Sequence, residues 1–328
     1  MDVLILHDYI PGDAPPDVLD VMTEVNAVQN ALKELGHTST LLAIQKDLGI
    51  LKNHLKNNKP DLIFNLVESF NGSGQYAYKI PELIEKLNIP FTGTKSQAMF
   101  TTTNKLWTKS ILKENGILTP QEILPKSGSD NEFIQPGTYI IKPVWEDASV
   151  GVDEDSVVFI ANRQDFLTKV SGRDGNVSED WFVESYIDGR EWNVGVLGSE
   201  LDIEILPPAE IRFNNYDENK PKVLGYQAKW ISESFESLNT TRHFNFNPAD
   251  AELIAQLKSI TKHCWSLFDL NGYARVDFRV DNNGVPYVLE INANPCISPD
   301  AGMTAAADQI GLNYTSLINK ILHTALVG

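Results

Sequence analysis

The sequence predicts an α/β fold in two parts, an N-terminal doubly wound domain with a parallel sheet and an α+β half in which strands dominate. Strand and helix patterns alternate over residues 1–98, as in βαβ units. From Tyr139 onward, short runs rich in Val, Ile and Phe are most frequent. A long hairpin pattern, ARVDFRVDNNGVPYVLEINANP, spans residues 274–295.

The N-terminal elements follow from hydrophobic period and from turn residues. Runs of apolar and β-branched residues predict strands at 3–6, 38–44, 62–67 and 89–91. Apolar residues at helical spacing predict helices at 18–35, 81–87, 96–102 and 104–115. Asn104 is a suitable N-cap for the last of these helices, and Gly116 ends it.

The second half contains strand patterns separated by polar stretches. The strand patterns are YIIKPV (139–144), SVVFI (156–160), WFVESYI (181–187) and NVGVLG (193–198). The stretches 127–137 and 171–180 are predicted loops, and the polar segment 213–222 is a predicted lid between strands. A helix at 249–268 leads into the hairpin. We expect three domains, at residues 1–98, 99–180 and 181–328.

Composition excludes several classes of protein. The chain has 328 residues, 42% hydrophobic and 22% charged, which is ordinary for a globular protein. A formal net charge of −17 argues against nucleic acid as a partner, because phosphate binding needs a basic surface. The two cysteines, Cys264 and Cys296, fit no metal-ligand spacing. Neither a signal peptide nor a membrane span is expected, so the predicted location is the cytoplasm.

The hairpin carries polar groups on one face. With Asn282 and Asn283 as its loop, Asp277 would lie opposite Val288. That register groups polar residues with one valine on a single face: Arg275, Asp277, Arg279, Val288, Glu290 and Asn292. Asp277 and Glu290 would then be diagonal neighbours, about 7–8 Å apart. Carboxylate and amide oxygens at this separation suit Mg²⁺, although a solvated outer face with an Arg–Glu pair is an equal alternative.

Three lysines occur in apolar or small-residue surroundings. Lys105 begins a helix, where its charge opposes the helix dipole unless an anion is near. Lys142 interrupts the strand YIIKPV, and Lys229 lies in YQAKW. The small-residue loop at 147–152 could close its N–H groups over a phosphate. A surface or strand-edge position remains the alternative for each lysine, as a solvated strand end does for Glu184 and Glu191.

Taken in order, these segments resemble the ATP-grasp superfamily and, within it, the D-alanine–D-alanine ligase-like group. The resemblance covers nearly the whole chain. Its segments are LKELGH, IPFTG, NKLWTKSILKENGILTP, YIIKPVWEDASVGV, FVESYIDGREWNVGVLG, YQAKW, GYARVDFRV and VLEINANP. The implied fold is a pre-ATP-grasp α/β domain followed by two α+β subdomains that clasp ATP.

The resemblance implies a role for each matching residue. Lys105 and Lys142 match lysines that bind the ATP phosphates, and Lys229 matches one that reaches the transferred phosphoryl group. The phosphate-covering loop matches Ser149, Val150 and Gly151. The base and ribose contacts match Phe182, Val183, Glu184 and Glu191. The ligands of two Mg²⁺ ions, for which Mn²⁺ is an alternative, match Asp277, Glu290 and Asn292. Arg275 matches the arginine that stabilises the tetrahedral intermediate, so Arg275, Lys229 and Ser149 are the expected catalytic group.

The implied reaction is ATP-dependent ligation of a carboxylate to an amine through an acyl phosphate, releasing ADP and phosphate. Several substrate positions depart from the family pattern. Glu68 occupies the position of a histidine, Trp230 that of a tyrosine and Cys296 that of a glycine, and Glu24 lies several residues after the expected glutamate. We therefore expect amino acids or small peptide-like substrates other than a D-alanine pair, and a homodimer as the assembly. An authentic D-alanine–D-alanine ligase and a non-catalytic nucleotide-binding module are the alternatives.

Overall fold

The computed structural model describes residues 1–123, 134–147, 149–171, 180–199 and 202–327. The predicted loops at 127–137 and 171–180 lie largely outside these residues. The first three strands are β1 (Asp2–Asp8), β2 (Thr38–Ile44) and β3 (Leu62–Asn65). They form a parallel sheet in the order β2-β1-β3, which confirms the predicted doubly wound start.

Helices follow these strands as the βαβ pattern requires. The helices of this part are α1 (Pro16–Glu34), α2 (Leu48–Asn57), α3 (Lys79–Lys86), α4 (Ser96–Thr103) and α5 (Lys105–Glu114). The predicted N-cap is confirmed, because the Asn104 side chain accepts a hydrogen bond from Trp107 N. The predicted strand at 89–91 is wrong: Phe91 makes one isolated bridge to Ile63, since Pro90 cannot donate to a ladder.

The central sheet is antiparallel. Its strands are β4 (Glu122–Ile123), β5 (Gly137–Pro143), β6 (Val157–Ile160) and β7 (Trp181–Ser185), in the order β4-β7-β5-β6. Helix α6 (Arg163–Ser171) follows β6. Because β7 lies between β4 and β5, a domain boundary between residues 180 and 181 would cut this sheet.

The largest sheet is built around the hairpin. Its strands are β8 (Gly189–Ser199), β9 (Asp202–Ile205), β10 (Ala209–Phe213), β11 (Thr240–His243), β12 (Gly272–Asp281) and β13 (Pro286–Asn292). Their order is β11-β10-β8-β12-β13, with β9 paired to β8. The helices are α7 (Tyr226–Trp230), α8 (Phe235–Asn239), α9 (Ala251–Leu267), α10 (Gly302–Asp308) and α11 (Tyr314–Val327). The segment after the polar loop 213–222 is therefore helix α7, and the predicted strand on that side is wrong.

The hairpin register differs from the predicted one. Asp281 Oδ1 accepts hydrogen bonds from Asn283 N and Val285 N, which lengthens the loop, and Phe278 therefore lies opposite Val288. A bulge at Leu289 then shifts the register again, so that Asp277 lies directly opposite Glu290.

The corrected register moves three side chains to other faces. Val288 is buried beside Phe278, on the apolar face. Tyr287 instead shares the face of Arg279, and Leu289 lines the cleft described below. The predicted polar face loses Val288 but keeps its charged and amide residues.

Two buried apolar clusters fix the sheets to one another. One combines α1 and the first sheet with Leu197 of β8, Tyr273 of β12 and helix α11. The other covers the opposite face of the large sheet with α9, whose Leu257 and Trp265 are almost fully buried. The N-terminal domain thus shares a core with the hairpin sheet, and this shared core sets the position of the site.

A close backbone contact marks this junction. Gly272 has φ +78°, and a Cβ placed on it would lie 2.8 Å from Gly93 Cα. Gly284, in the hairpin loop, has a similar φ of +81°, but nothing lies within 4 Å of its Cβ position. Both glycines therefore have a left-handed backbone conformation, but a Cβ atom has room at Gly284 and none at Gly272.

We predict that Gly272→Ala lowers the free energy of unfolding by more than about 3 kcal/mol, since it adds a backbone clash to the left-handed strain. Gly284→Ala is the matched control and should cost about 1–2 kcal/mol, from strain alone. Urea denaturation measures both values. Equal losses in the two variants would contradict the close contact.

Candidate active site

A cleft lies between the central sheet and the large sheet. Both sheets and the segment before α7 contribute to its walls. Its charged lining residues are Lys105, Lys142, Glu146, Glu184, Glu191, Lys229, Asp277, Arg279 and Glu290. Most of the charged residues that the sequence singled out therefore meet in one place, although they come from distant parts of the chain.

Lys105 lies at the start of α5 and is surrounded by acceptors. Its Nζ donates to Asp147 Oδ1 at 2.8 Å and to Glu146 O at 2.7 Å, and it lies 3.8 Å from Glu290 Oε2. Burial alone would lower the pKa of Lys105, but the charges of Asp147 and Glu290 outweigh it and raise that pKa. Lys105 is therefore a fixed positive charge at the edge of the cleft, and Asp147 is a partner that the sequence prediction missed.

Lys229 differs from Lys105, because its surroundings lower the pKa of its ammonium group. Burial, followed by the neighbouring charge of Arg275, lowers the pKa of its ammonium. Carboxylates, of which Glu290 has the largest effect, partly offset this. Lys229 belongs to α7, which is connected to the small-residue loop: Tyr226 N donates to Val152 O at 2.9 Å.

The small-residue loop turns sharply at the mouth of the cleft. Ser149 and Gly151 have φ of +64° and +73°, and Ser149 Oγ donates to Leu224 O at 2.6 Å. Ser149 and Val152 line the cleft, whereas Val150 and Gly151 do not contribute to its lining. The hydrogen bond from Ser149 joins this loop to the segment that carries α7.

The wall formed by β7 differs from the predicted one. Phe182 and Val183 are buried, with exposures of 1% and 0%, and do not line the cleft. Val183 packs in the core of the central sheet instead. The lining of the cleft comes from the next residues along the chain, Glu184 to Ile187.

The two predicted glutamates are both paired with cations. Glu184 accepts from Lys109 and Lys142 at 2.6 and 2.7 Å, and these charges outweigh its burial and lower its pKa. Glu191 lies 2.9 Å from Arg279, but burial dominates and raises its pKa. Lys109 and Arg279 were missed as site residues. Only the polar face of the hairpin pointed to Arg279.

The hairpin brings the predicted metal ligands together. Asp277 and Glu290 are cross-strand partners, and Asn292 Nδ2 donates to Asp277 Oδ2 at 3.1 Å and to Glu290 Oε1 at 3.4 Å. Burial would raise the pKa of Glu290, but Lys105 and then other cations lower it to about 2. Glu290 is therefore ionised at any ordinary pH. Both oxygens of Asp277 are also bonded to Arg275, at 2.7 and 2.8 Å.

Asp277, Glu290 and Asn292 alone supply only part of the coordination that Mg²⁺ needs. Among the described residues, no three or more His, Cys, Asp or Glu side chains are grouped to hold a metal ion. Two carboxylates and an amide suit Mg²⁺ where phosphate oxygens and water complete its coordination, which is how Mg²⁺ is usually bound with nucleotides. The residues therefore fit a nucleotide-bound magnesium better than an independent metal site.

Beyond Arg275, a second region is strongly acidic. Glu24, only 4% exposed, accepts from Ile297 N at 2.6 Å, and Asp20 accepts from Ser298 Oγ at 3.0 Å. Asp8 accepts from the backbone N–H groups of Glu68 and Ser69. The Glu68 carboxylate, which is exposed to solvent, has no hydrogen-bond partner among the described residues. We call Asp8, Asp20, Glu24 and Glu68 the acidic pocket.

Burial and mutual repulsion perturb the acidic pocket. Burial, with the nearby charges of Asp20 and Asp8, raises the pKa of Glu24 to about 8. Partial desolvation by the surrounding protein, followed by the charge of Glu24, also raises the pKa of Glu68 well above its ordinary value. Only the departures from the family pattern at Glu24, Glu68 and Cys296 pointed to this pocket in the sequence.

Comparison with known proteins shows the family of the chain. The profile described as "D-ala D-ala ligase C-terminus" matches residues 119–323. The chain belongs to the D-alanine–D-alanine ligase family. This membership confirms the predicted ATP-grasp, ligase-like class and an ATP-dependent, ADP-forming ligase that acts on small amino-acid substrates.

Relatives of the ligase match it over most of their length. A Sinorhizobium fredii protein named "Uncharacterized protein y4sG" is 30% identical over 96% of this chain and 91% of its own. The D-alanine–D-alanine ligase of Aquifex aeolicus is 28% identical over 90% of this chain and 92% of its own.

Solved structures show the same fold. The D-alanine–D-alanine ligase of Bacillus anthracis complexed with ATP has a TM-score of 0.72 at 20% identity, covering 100% of this chain and 98% of its own. The VanG D-Ala:D-Ser ligase of Enterococcus faecalis has a TM-score of 0.70 at 16% identity, covering 99% of each chain. Within the described residues, no helix of the ligase is both long and apolar enough to cross a membrane.

We predict that the ligand-free ligase loses stability as the pH rises from about 5 to 8. The pKa of Glu24 rises on folding from 4.5 to about 8, so the folded state holds a proton that the unfolded state has lost, and deprotonation destabilises the fold. Each pH unit in this window costs up to about 1.4 kcal/mol per proton. Glu24→Gln should therefore be more stable than wild type at pH 8 and similar to it at pH 5.

Urea denaturation at the two pH values measures this difference. Glu34→Gln is the matched control, because Glu34 is an exposed glutamate of the same helix and its replacement should leave the pH dependence unchanged. Parallel curves for wild type and Glu24→Gln would show that Glu24 does not titrate in this window.

Proposed function

We propose that this ligase joins amino acids or small amino-acid-like substrates other than two D-alanines, at the cleft and the adjoining acidic pocket. The observation that supports this most strongly is the division of charge at Arg275. Lysines gather on the side of the cleft, and the acidic pocket lies on the other side. A nucleotide triphosphate needs the first environment, and a substrate ammonium needs the second.

The lysines are proposed to hold and orient the phosphates of ATP. Lys105 and Lys142 enter from the central part of the chain, and Lys229 enters from α7. Phosphoryl transfer depends mainly on positioning and on neutralisation of charge, so three convergent cations suit it. The lowered pKa of Lys229 makes its ammonium sensitive to a new anion, and an arriving phosphate would favour the charged form.

Asp277, Glu290 and Asn292 are proposed to hold Mg²⁺ together with those phosphates. When bound, the ion would neutralise the phosphate oxygens and orient them. Glu290 is the principal ligand because it is ionised and reaches the cleft, whereas Asp277 is already bonded to Arg275. We keep Mn²⁺ as an alternative ion with the same oxygen preference.

Arg275 is proposed to bind the oxyanion that forms when an amine attacks the activated acyl carbon. Its Nε and Nη2 are bonded to Asp277, and its Nη1 has no hydrogen bond within the described residues. A guanidinium held on one edge retains donors on the other. Such preorganised donors contribute about 3–4 kcal/mol to comparable reactions.

The acidic pocket is proposed to bind the ammonium group of a substrate. Asp20 and Glu24 lie beside Cys296 and Ser298, at the end of the hairpin and next to Arg275. Their carboxylates repel one another, and a cation would relieve that repulsion. This arrangement supports substrates with a free amino group and disfavours diacids.

Departures from the family pattern support a substrate other than a D-alanine pair. Trp230 stands where the pattern has a tyrosine, and Tyr226 instead donates to Asp17 Oδ1 at 2.7 Å across the mouth of the site. Glu68 adds a carboxylate where the pattern has a histidine.

We also propose that the protein is located in the cytoplasm, where ATP is supplied, and that it forms a homodimer. The proposed domain divisions lie near residues 98 and 185.

We predict that the purified protein, given ATP, Mg²⁺ and a set of amino acids, releases ADP and phosphate and forms an amide product. Phosphate release and mass spectrometry of the products measure this. D-Alanyl-D-alanine formed from D-alanine alone would support the alternative D-alanine–D-alanine ligase. ATP binding without turnover on any substrate would support a nucleotide-binding module instead.

We predict that Glu290→Gln lowers turnover by about 100-fold to 1,000-fold, the range typical for loss of one electrostatic contact at a reacting centre. Glu290 lies on the polar face, so the variant should still fold, with a lower melting temperature because the charge of Glu290 stabilises the surrounding cations. Glu252→Gln, the same change at an exposed position of α9, is the control and should keep full turnover. Turnover of Glu290→Gln within a few fold of wild type would exclude Glu290 as a metal ligand.

A further inference from the structure

A buried group of three charges lies behind one wall of the cleft. Glu184 accepts from Lys109 Nζ through one oxygen, at 2.6 Å, and lies 2.7 Å from Lys142 Nζ through the other. The side chains of Lys109 and Glu184 are each 1% exposed, whereas that of Lys142 is 13% exposed and lines the cleft. The charges thus run from the interior to the cleft in the order positive, negative, positive.

Lys109 cannot act on a ligand directly. Besides Glu184, its ammonium donates to Thr119 Oγ1 at 2.9 Å and to Pro120 O at 2.6 Å. These three acceptors use all three of its N–H groups. Lys109 does not line the cleft, so any effect on the nucleotide must pass through Glu184.

The charge balance shows what that effect would be. Glu184 and Lys142 alone would form a neutral pair, and a neutral pair attracts a polyphosphate weakly. With Lys109 present, the group of three carries one net positive charge. Lys109, at the interior end, is saturated with hydrogen bonds and does not reach the cleft, whereas Glu184 and Lys142 both line it, so Lys142 is the cation of the group that faces the cleft.

Burial strengthens the interactions among these three charges. Charges in a protein interior are screened much less than charges in water. The charges of Lys109 and Lys142 outweigh the burial of Glu184 and lower its pKa, so the carboxylate stays ionised and continues to hold both lysines. Lys142 is thereby fixed in direction by the same residue that would otherwise cancel its charge.

We propose that Lys109 is a positioning residue of the nucleotide site, which neutralises Glu184 so that Lys142 keeps a positive charge aimed at the nucleotide phosphates. The inference rests on the proposed function, because it takes the cleft as the ATP site. Lys109 itself contacts neither substrate nor the reacting atoms.

The test is calorimetric binding of a non-hydrolysable ATP analogue with Mg²⁺. Lys109→Met keeps the length of the side chain but removes its charge, leaving Glu184 and Lys142 as a neutral pair. Affinity for the analogue should fall by about tenfold or more, the value of one charged interaction. Glu184→Gln removes the carboxylate that Lys109 neutralises, so adding Lys109→Met to Glu184→Gln should change affinity by less than about threefold relative to Glu184→Gln alone.

Lys113→Met is the matched control. Lys113 lies one turn further along the same helix and also pairs with a glutamate, Glu122, but it is 39% exposed and outside the cleft. Its replacement should leave the affinity for the analogue unchanged. Melting temperatures of all variants are measured in parallel.

The outcomes separate the two proposals. Wild-type protein that does not bind the analogue would refute the proposed ATP site itself. Wild-type binding together with unchanged affinity in Lys109→Met would overturn the role of Lys109 alone, as would a further tenfold loss when Lys109→Met is added to Glu184→Gln. If Lys109→Met does not fold, the double variant Lys109→Met/Glu184→Gln is compared with Glu184→Gln, and a tenfold loss of affinity at an equal melting temperature overturns the proposal.

Discussion

The pairing of buried charges along β12 is the constraint on which the rest of the site depends. This strand lies between β8 and β13, yet it carries Arg275, Asp277 and Arg279 on one face, and Asp277 and Arg279 line the cleft. Ionised groups at such positions are stable only when opposite charges and hydrogen bonds surround them. The neighbouring strands supply these partners: Glu191 and Asn193 come from β8, and Glu290 and Asn292 from β13.

The same constraint explains why the cleft is divided electrostatically. Arg275 stands between the cleft, where lysines are paired with carboxylates, and the acidic pocket, where the described carboxylates have no lysine or arginine partner, and it affects both. Its charge lowers the pKa of Lys229 and also opposes the raised pKa of Glu68. A ligase must hold an anionic nucleotide and an amino-acid substrate in adjacent positions, so a single arginine at the boundary can serve both. The acidic pocket balances the lysines without neutralising them, because the two groups occupy different walls.

One bulge determines how the hairpin presents its groups. Without it, the pairing of Phe278 with Val288 would continue, so that Leu289 would lie opposite Asp277 and Glu290 would lie opposite Val276 on the buried apolar face. The extra residue at Leu289 instead places the two carboxylates directly opposite each other, and Leu289 itself also lines the cleft. Bulges are common beside functional sites, because they redirect side chains while the sheet on either side stays intact.

The sequence by itself determined the strands of the first sheet, the alternation of the first domain and the chemical nature of the hairpin face, because these depend on local period and turn chemistry. Asn104 as an N-cap and Asp277 with Glu290 on one face could be predicted in this way. The partners of the charges could not, because they are far apart in the chain: 75 residues separate Lys109 from Glu184, and 273 separate Glu24 from Ile297. The register also escaped prediction, since the longer loop and the bulge depend on hydrogen bonds that only the folded hairpin makes. Which carboxylates are neutralised and which remain in excess was therefore decided by the tertiary structure, since burial and long-range pairing together set the charge of each wall.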